Sequence, residues 1–454
     1  MKQIHAYIDD NAKRFQQELF DFLRIPSVSA RSEHRRDMQT CASWLETQMQ
    51  SAGLETRIHA TDGHPIVLGE WRGAGERAPT LLIYGHYDVQ PAEPLDLWTS
   101  PPFEPAVRDG RVYARGSVDD KGQIHLHIKA IEAHTKTNGA LPLNVIVIAE
   151  GEEEVGSENL MPFIEKHAKR LACDAIVISD STMVAPGTPT IGASLRGIAY
   201  FELRVRGPRS DLHSGSYGGA VINPATALAR ILATLHDEHW RVAIHGFYDD
   251  VLEMADFREQ IRSLRYDDAT LQQETGVSSL GGEAGFSTPE RLWLRPTAEV
   301  NGMLSGYTGE GAKTVLPSAA TAKVSFRLVP DQDPAKIERI FRDHVQRVTP
   351  DGVRVEIITM HGSRPWRARL EGRLVEAAAR ALEIAWQKPV VYAGEGGSIP
   401  IVPEFERVLG APVLLMGFGL PGENAHAPDE WMSLENYVRG MHASAALMSE
   451  IGNG

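Results

Sequence analysis

Three short apolar runs, Thr80 to Tyr84, Leu143 to Ala149 and Ala175 to Ser179, constrain this chain more than any other feature. Each is bounded by turn residues, and each ends beside an acid or a histidine. Continuous runs of this length mark strands buried on both faces, and such strands belong to sheets covered by helices. Helical patterns separate them, Ile124 to Ala133 and Met161 to Leu171. Two amphipathic helices come earlier. In Lys2 to Arg24 the apolar positions Ile4, Ile8, Phe15, Leu19, Phe22 and Leu23 recur at three- and four-residue steps, and Arg35 to Ala52 stops at Gly53. The alternation predicts an α/β layer with a mostly parallel sheet.

The texture changes near Gly197. Ala199 to Arg206 and Ala319 to Val329 alternate as half-exposed strands, with helices over Pro224 to Asp237 and Pro334 to Val348 and a further strand over Val353 to Met360. Together they predict an α+β module. The helix from Leu370 to Ala385 and the apolar run Ala411 to Met416 return to the first texture, so this module is expected as an insertion. The predicted domains are 1–196 and 366–454 as two parts of one unit, with 197–365 inserted between them.

Composition removes several functions. The chain has 454 residues, 42% hydrophobic and 23% charged, so it is neither disordered nor fibrous. Sixty acidic against 46 basic residues give a net charge of -14, which opposes nucleic acid and anionic membrane surfaces as partners. Two cysteines, Cys41 and Cys173, are too few for a disulfide framework and too far apart for a Cys-x-x-Cys motif. No stretch approaches 18 uncharged apolar residues, and the expected location is cytoplasmic, without signal or anchor.

The chemistry lies at the strand ends. His86 and Asp88 follow the first run on the same side of an extended chain, where a carboxylate can fix the tautomer of a metal-binding imidazole. Asp119-Asp120-Lys121-Gly122 opens a helix, Glu150-Gly151-Glu152-Glu153-Glu154 ends the second run, Asp180 ends the third, and His426 lies in a late loop. Each has a plainer explanation taken singly: a helix cap, a solvated acidic loop, a turn former, an ordinary histidine. Jointly, acids and imidazoles at the carboxyl ends of several parallel strands converge on one crevice. Oxygen and nitrogen donors without cysteine suit two divalent cations such as zinc or manganese.

The ordered set His86-x-Asp88, Asp119-Asp120-Lys121-Gly122, Glu153-Glu154-x-Gly156-Ser157, Ser179-Asp180, Asp211-Leu212-His213-Ser214-Gly215 and Asn424-Ala425-His426 resembles the M20 family of dinuclear metallopeptidases, in particular its carnosinase-like dipeptidases. The resemblance implies a zinc-peptidase-like catalytic domain with an inserted lid and dimerisation domain. It implies that His86 and Asp180 hold one metal, Glu154 and His426 the other, and that Asp119 bridges them. Asp88 would orient His86, and Glu153 would be the general base toward a water shared by both metals. His213 would reach a partner subunit's site in a homodimer. Val155-Gly156-Ser157 sets the register of the three glutamates, with a one-residue shift as the alternative. A cis peptide at Asp119-Asp120 is also implied.

Asp180, where the family's deacylases usually carry Glu, points to a small peptide substrate. Arg327, Thr314 and Ser398 resemble the family's substrate-binding positions, and an arginine suits the bidentate grip of a terminal carboxylate. The expected function is a metal-dependent hydrolase of dipeptides or short peptides. The alternatives are an N-acyl-amino-acid deacylase on the same scaffold and a catalytically silent binding subunit.

Overall fold

Every residue of the run Thr80–His86 (β1) is buried, as is every residue of Asn144–Glu150 (β2) and of Ala175–Ile178 (β3). A strand with no exposed face must lie inside a sheet, and these three form its centre: β1 pairs in parallel with both β2 and β3. A later strand, Val413–Leu415, extends the parallel part beyond β3. The parallel character stops there. On one side Ile66–Trp71 and Glu55–His59 add antiparallel strands, and on the other Val413–Leu415 meets Thr190–Leu195 antiparallel. The sheet is therefore mixed, parallel at its centre and antiparallel at its flanks.

The structure, a computed structural model, describes residues 1–264 and 266–453. It divides the chain into two compact units. The first is Met1–Ala193 with Ala368–Ala393 and Ile401–Gly454; the second is Ser194–Arg367 with Gly394–Pro400.

In the first unit the helices Lys2–Leu23 (α1), Arg35–Ser51 (α2) and Lys121–Asn138 (α3) carry the pattern expected of them, and Arg373–Trp386 (α4) and Leu434–Gly452 (α5) complete the core. Helix α3 packs against α1 and α5 and is buried from Lys121 to His134, including its charged residues. Its buried lysines and His127 are matched by partners. Lys121 Nζ donates to the Ile25 carbonyl (2.6 Å), Lys129 Nζ pairs with Glu18 (2.6 Å) and Glu132 (3.0 Å), and His127 contacts the hydroxyls of Ser179 (2.7 Å) and Ser444 (2.8 Å). A buried charge is tolerable only when paired in this way. Gly122 is required by space, since a Cβ there would lie 2.0 Å from the Ser117 carbonyl oxygen.

The second unit is a four-stranded antiparallel sheet in the order Thr297–Ser305, Ala319–Leu328, Gly197–Arg206, Arg354–Ser363. Gly197–Arg206 alternates between buried and part-exposed positions, and its buried side chains Phe201, Leu203 and Val205 pack with Leu228, Phe326 and Phe341. Helices Pro224–Ala233 and Pro334–Val348 supply that cover. Both start with proline, whose missing N–H costs nothing in the first turn, and both are capped by a side-chain oxygen, from Asn223 and Asp333.

Candidate metal centre

His86 is the last residue of β1 and has no exposed surface. Its Nδ1 lies 3.0 Å from the Asp88 carbonyl oxygen and 3.4 Å from Asp88 Oδ1, so that nitrogen carries the proton and Nε2 is presented outward as a donor atom to a cation. Nε2 meets Asp119 Oδ1 at 3.1 Å and Asp180 Oδ2 at 3.9 Å. The other oxygen of the same carboxylate, Asp119 Oδ2, meets His426 Nε2 at 2.8 Å, and that nitrogen is 3.3 Å from Glu154 Oε2. Two groups result, His86 with Asp119 and Asp180, and Asp119 with Glu154 and His426. Within each group the ligand atoms lie within 4.8 Å of one another, and Asp119 belongs to both.

The electrostatics fit cations. Burial, reinforced by Asp119 and Glu154, pushes the Asp180 carboxyl up to about 7. Burial likewise pushes Glu153 well above the usual carboxylate range, with Asp180, Glu154 and Asp119 adding to the effect. Hydrogen bonds to Asp119 and Glu154 pull His426 up to about 10, and His86 rises well above its ordinary value although burial opposes it. Asp119 is held low, against burial, by His426 and His86. Carboxylates forced toward the neutral form beside imidazoles forced toward the charged form mark one excess of negative charge, which divalent cations would neutralise. The donor set, nitrogen and oxygen without sulfur, suits zinc or manganese.

Of the three consecutive glutamates, Glu154 is the one whose carboxylate meets His426, and it also accepts from Gln90 Nε2 at 2.7 Å. Glu152 is occupied elsewhere, accepting the His64 N–H (2.9 Å) and Asn159 Nδ2 (2.8 Å). Asp88, fully buried, accepts the backbone N–H groups of Glu153 (3.2 Å) and Glu154 (3.1 Å). Asp88 thus meets His86 Nδ1 through its main-chain carbonyl and anchors the glutamate turn through its carboxylate. The Asp119-Asp120 peptide is cis, and Asp120 Oδ2 accepts the His86 N–H at 3.2 Å.

Three supports of the site carry no signal in the sequence. Glu430, with no exposed surface, accepts from the backbone of Gly116 (2.8 Å), Val118 (3.0 Å) and Asp119 (3.2 Å) and from Arg115 Nη1 (2.9 Å). It ties the His426 loop to the Asp119 loop. His127 holds Ser179, the residue before Asp180. Asp429 receives the N–H and hydroxyl of Thr99 at 2.9 and 2.6 Å. None of these has a spacing signal, because donor and acceptor lie far apart in the chain.

In the second unit, Arg327 Nη1 donates to Ser398 Oγ at 2.9 Å. His213 is on an exposed turn, paired across the strands with Val315, and its Nδ1 accepts from the N–H groups of Gly215 (3.1 Å) and Ser216 (3.3 Å). Thr314, next to Val315, takes the Ser214 N–H on its carbonyl at 3.1 Å. Arg327 thus meets Ser398, while His213 and Thr314 lie on neighbouring paired segments, Thr314 bonded to Ser214.

Residues 82–450 match the pattern of peptidase family M20/M25/M40. The chain belongs to this family. As a family member it is a hydrolase, similar over its whole length to the Cys-Gly metallodipeptidase of Schizosaccharomyces pombe, at 32% identity covering 100% of this chain and 98% of that one. The human Beta-Ala-His dipeptidase is 30% identical over 96% of this chain and 86% of its own length. Among solved structures, the dipeptidase Dug1p of Saccharomyces cerevisiae superposes with a TM-score of 0.87 at 27% identity, covering 100% of this chain and 98% of the other. The M20 family metallo-carboxypeptidase Sso-CP2 of Sulfolobus solfataricus gives 0.86 at 32% identity, covering 97% and 99%. Among the described residues no helix is long and apolar enough to cross a membrane.

Proposed function

We propose that this M20 hydrolase is a metallodipeptidase working with two divalent cations, zinc first and manganese as the alternative. The single observation that carries the reading is Asp119, one carboxylate whose two oxygens address two different ligand groups. His86 and Asp180 would hold one cation, Glu154 and His426 the other. The cations supply Lewis acidity toward water and the scissile carbonyl. The chain's own residues do the rest. Asp88 keeps the His86 proton on Nδ1. Glu153, whose carboxyl is raised by burial and by its carboxylate neighbours, removes a proton from the attacking water and delivers it to the leaving amine. Arg327 and Ser398 grip the peptide's terminal carboxylate, and Thr314 is a further substrate-binding residue.

We assign the second unit the lid and dimerisation role and His213 the task of hydrogen-bonding the developing oxyanion in a partner subunit. Co-expressing Glu153→Ala with His213→Ala should then recover about a quarter of wild-type activity, since half of random dimers are mixed and half of their sites are intact. Mixed dimers as inactive as both parents would contradict a role in trans. A cytoplasmic setting fits two cysteines without a disulfide.

The deciding assay sets a dipeptide library against N-acetyl and N-succinyl amino acids. Hydrolysis of the dipeptides supports the reading, and a preference for the acylated amino acids replaces it with a deacylase. The similarity to Sso-CP2 favours one second reading, a carboxypeptidase. Tetrapeptides trimmed from the carboxyl end faster than dipeptides are cleaved would establish it.

A further inference from the structure

The loop Gly394–Pro400 has glycine at 394, 396 and 397. Such a segment loses more backbone entropy on ordering than any other, so its geometry has to be imposed from outside. Trp293 does so at the start: a Cβ on Gly394 would lie 2.5 Å from the Trp293 Cβ, which leaves glycine as the residue that fits. Arg196 does so in the middle. Its Nε donates to the Gly396 carbonyl at 2.8 Å and its backbone N–H to the Gly397 carbonyl at 3.1 Å. Ser398 follows directly, with its hydroxyl on Arg327.

Both of these Arg196 contacts are to neutral carbonyls. Burial and the nearby charge of Arg327 pull it down to about 10, with Glu395 and Glu299 opposing, and it stays protonated at neutral pH. Two guanidinium groups therefore brace one loop, Arg327 through a hydroxyl and Arg196 through the main chain.

We propose that Arg196 is a positioning residue for carboxylate recognition. By fixing Gly396 and Gly397 it sets the Ser398 hydroxyl against Arg327, so the pair meets an anionic peptide end as a preformed unit and does not pay the ordering cost at the moment of binding. The inference rests on the reading of Arg327 and Ser398 as the grip on the terminal carboxylate.

The experiment measures kcat and KM for one dipeptide and for its C-terminal amide, on wild type, Arg196→Ala, Arg327→Ala and the double variant. Arg196→Gln and thermal melts guard against a folding defect. The expected loss falls on KM of the acid: the ratio of acid to amide efficiency drops about tenfold in Arg196→Ala, as for the loss of a charge-assisted contact. In the Arg327→Ala background the same substitution should add less than about twofold, because both act on one unit. Additive losses, or equal losses on acid and amide, overturn the role of Arg196. An Arg327→Ala variant with an unchanged acid-to-amide ratio removes the grip itself, and the inference with it.

Discussion

Asp119 is expected to bridge two cations and His213 to hydrogen-bond the developing oxyanion, and their surroundings differ in kind. Around Asp119, each supporting group is buried and bonded: Glu430 holds its backbone, Asp120 takes the His86 N–H, and Asp88 joins His86 to the glutamate turn. Around His213 there is a two-residue strand, exposed at His213, and a four-residue helix, Ser214–Tyr217, capped by the His213 side chain. In the first region the low-dielectric interior makes each unpaired polar group costly, so the set holds one geometry or fails as a set. In the second the polar groups are exposed, and the one side-chain support is the His213 cap itself, an effect of about 1 kcal/mol. The two regions should therefore answer differently to substitution.

The largest effect is expected at Glu153. Glu153→Ala should lower kcat by about a thousandfold, within the range for loss of a general base, with both metals still bound. The paired variant Glu154→Ala should lose one of two metals. Metal analysis after dialysis, run beside the kinetics, separates them, and the reverse result would shift the register of the glutamates by one residue.

A smaller loss is expected at Glu430. Glu430→Gln keeps the shape but gives up the charged acceptor for Arg115 and the Gly116 to Asp119 backbone, so metal affinity should weaken about 10- to 100-fold, as for other outer partners of metal ligands. Competition with a chelator measures it. Unchanged affinity would mean that the Asp119 loop holds its own geometry.

The smallest effect concerns stability. Burial pushes His127 down to about 3, whereas an unfolded histidine titrates near 6.5. Below pH 6.5 the unfolded chain binds a proton that the folded chain refuses, so this site's contribution to stability is complete above 6.5 and is lost as pH falls toward 3. The slope is at most about 1.4 kcal/mol per pH unit. Melting temperatures between pH 7.5 and 5 should fall less steeply in His127→Gln than in wild type. Equal slopes would show that His127 is protonated in the folded state.

The same contrast explains what the sequence disclosed. The three central strands, α1, α2 and the helix Pro334–Val348 were legible because buried strands and amphipathic helices leave periodic traces. The antiparallel strands at the sheet's flanks were not, since Glu55–His59 and Ile66–Trp71 are short and only partly alternating. Helix α3 was readable only over Ile124 to Ala133, because a helix buried on all sides, with His125, His127 and Lys129 inside, lacks an apolar stripe. At the centre, the ligand set stood out because acids and histidines end apolar runs. Glu430, His127 and Arg196 did not: each acts by accepting or donating to groups distant in the chain, and single residues of common types carry no spacing.

The central claim is that Asp119 serves two cations, and metal stoichiometry tests it most directly. Mass-spectrometric metal analysis of purified, dialysed protein should find two divalent ions per chain in wild type, one in Glu154→Ala, and none or a weakly held trace in Asp119→Ala, because removing the shared carboxylate breaks both groups. An Asp119→Ala variant that still carries two tightly bound ions, or an active wild type carrying one, would contradict the account.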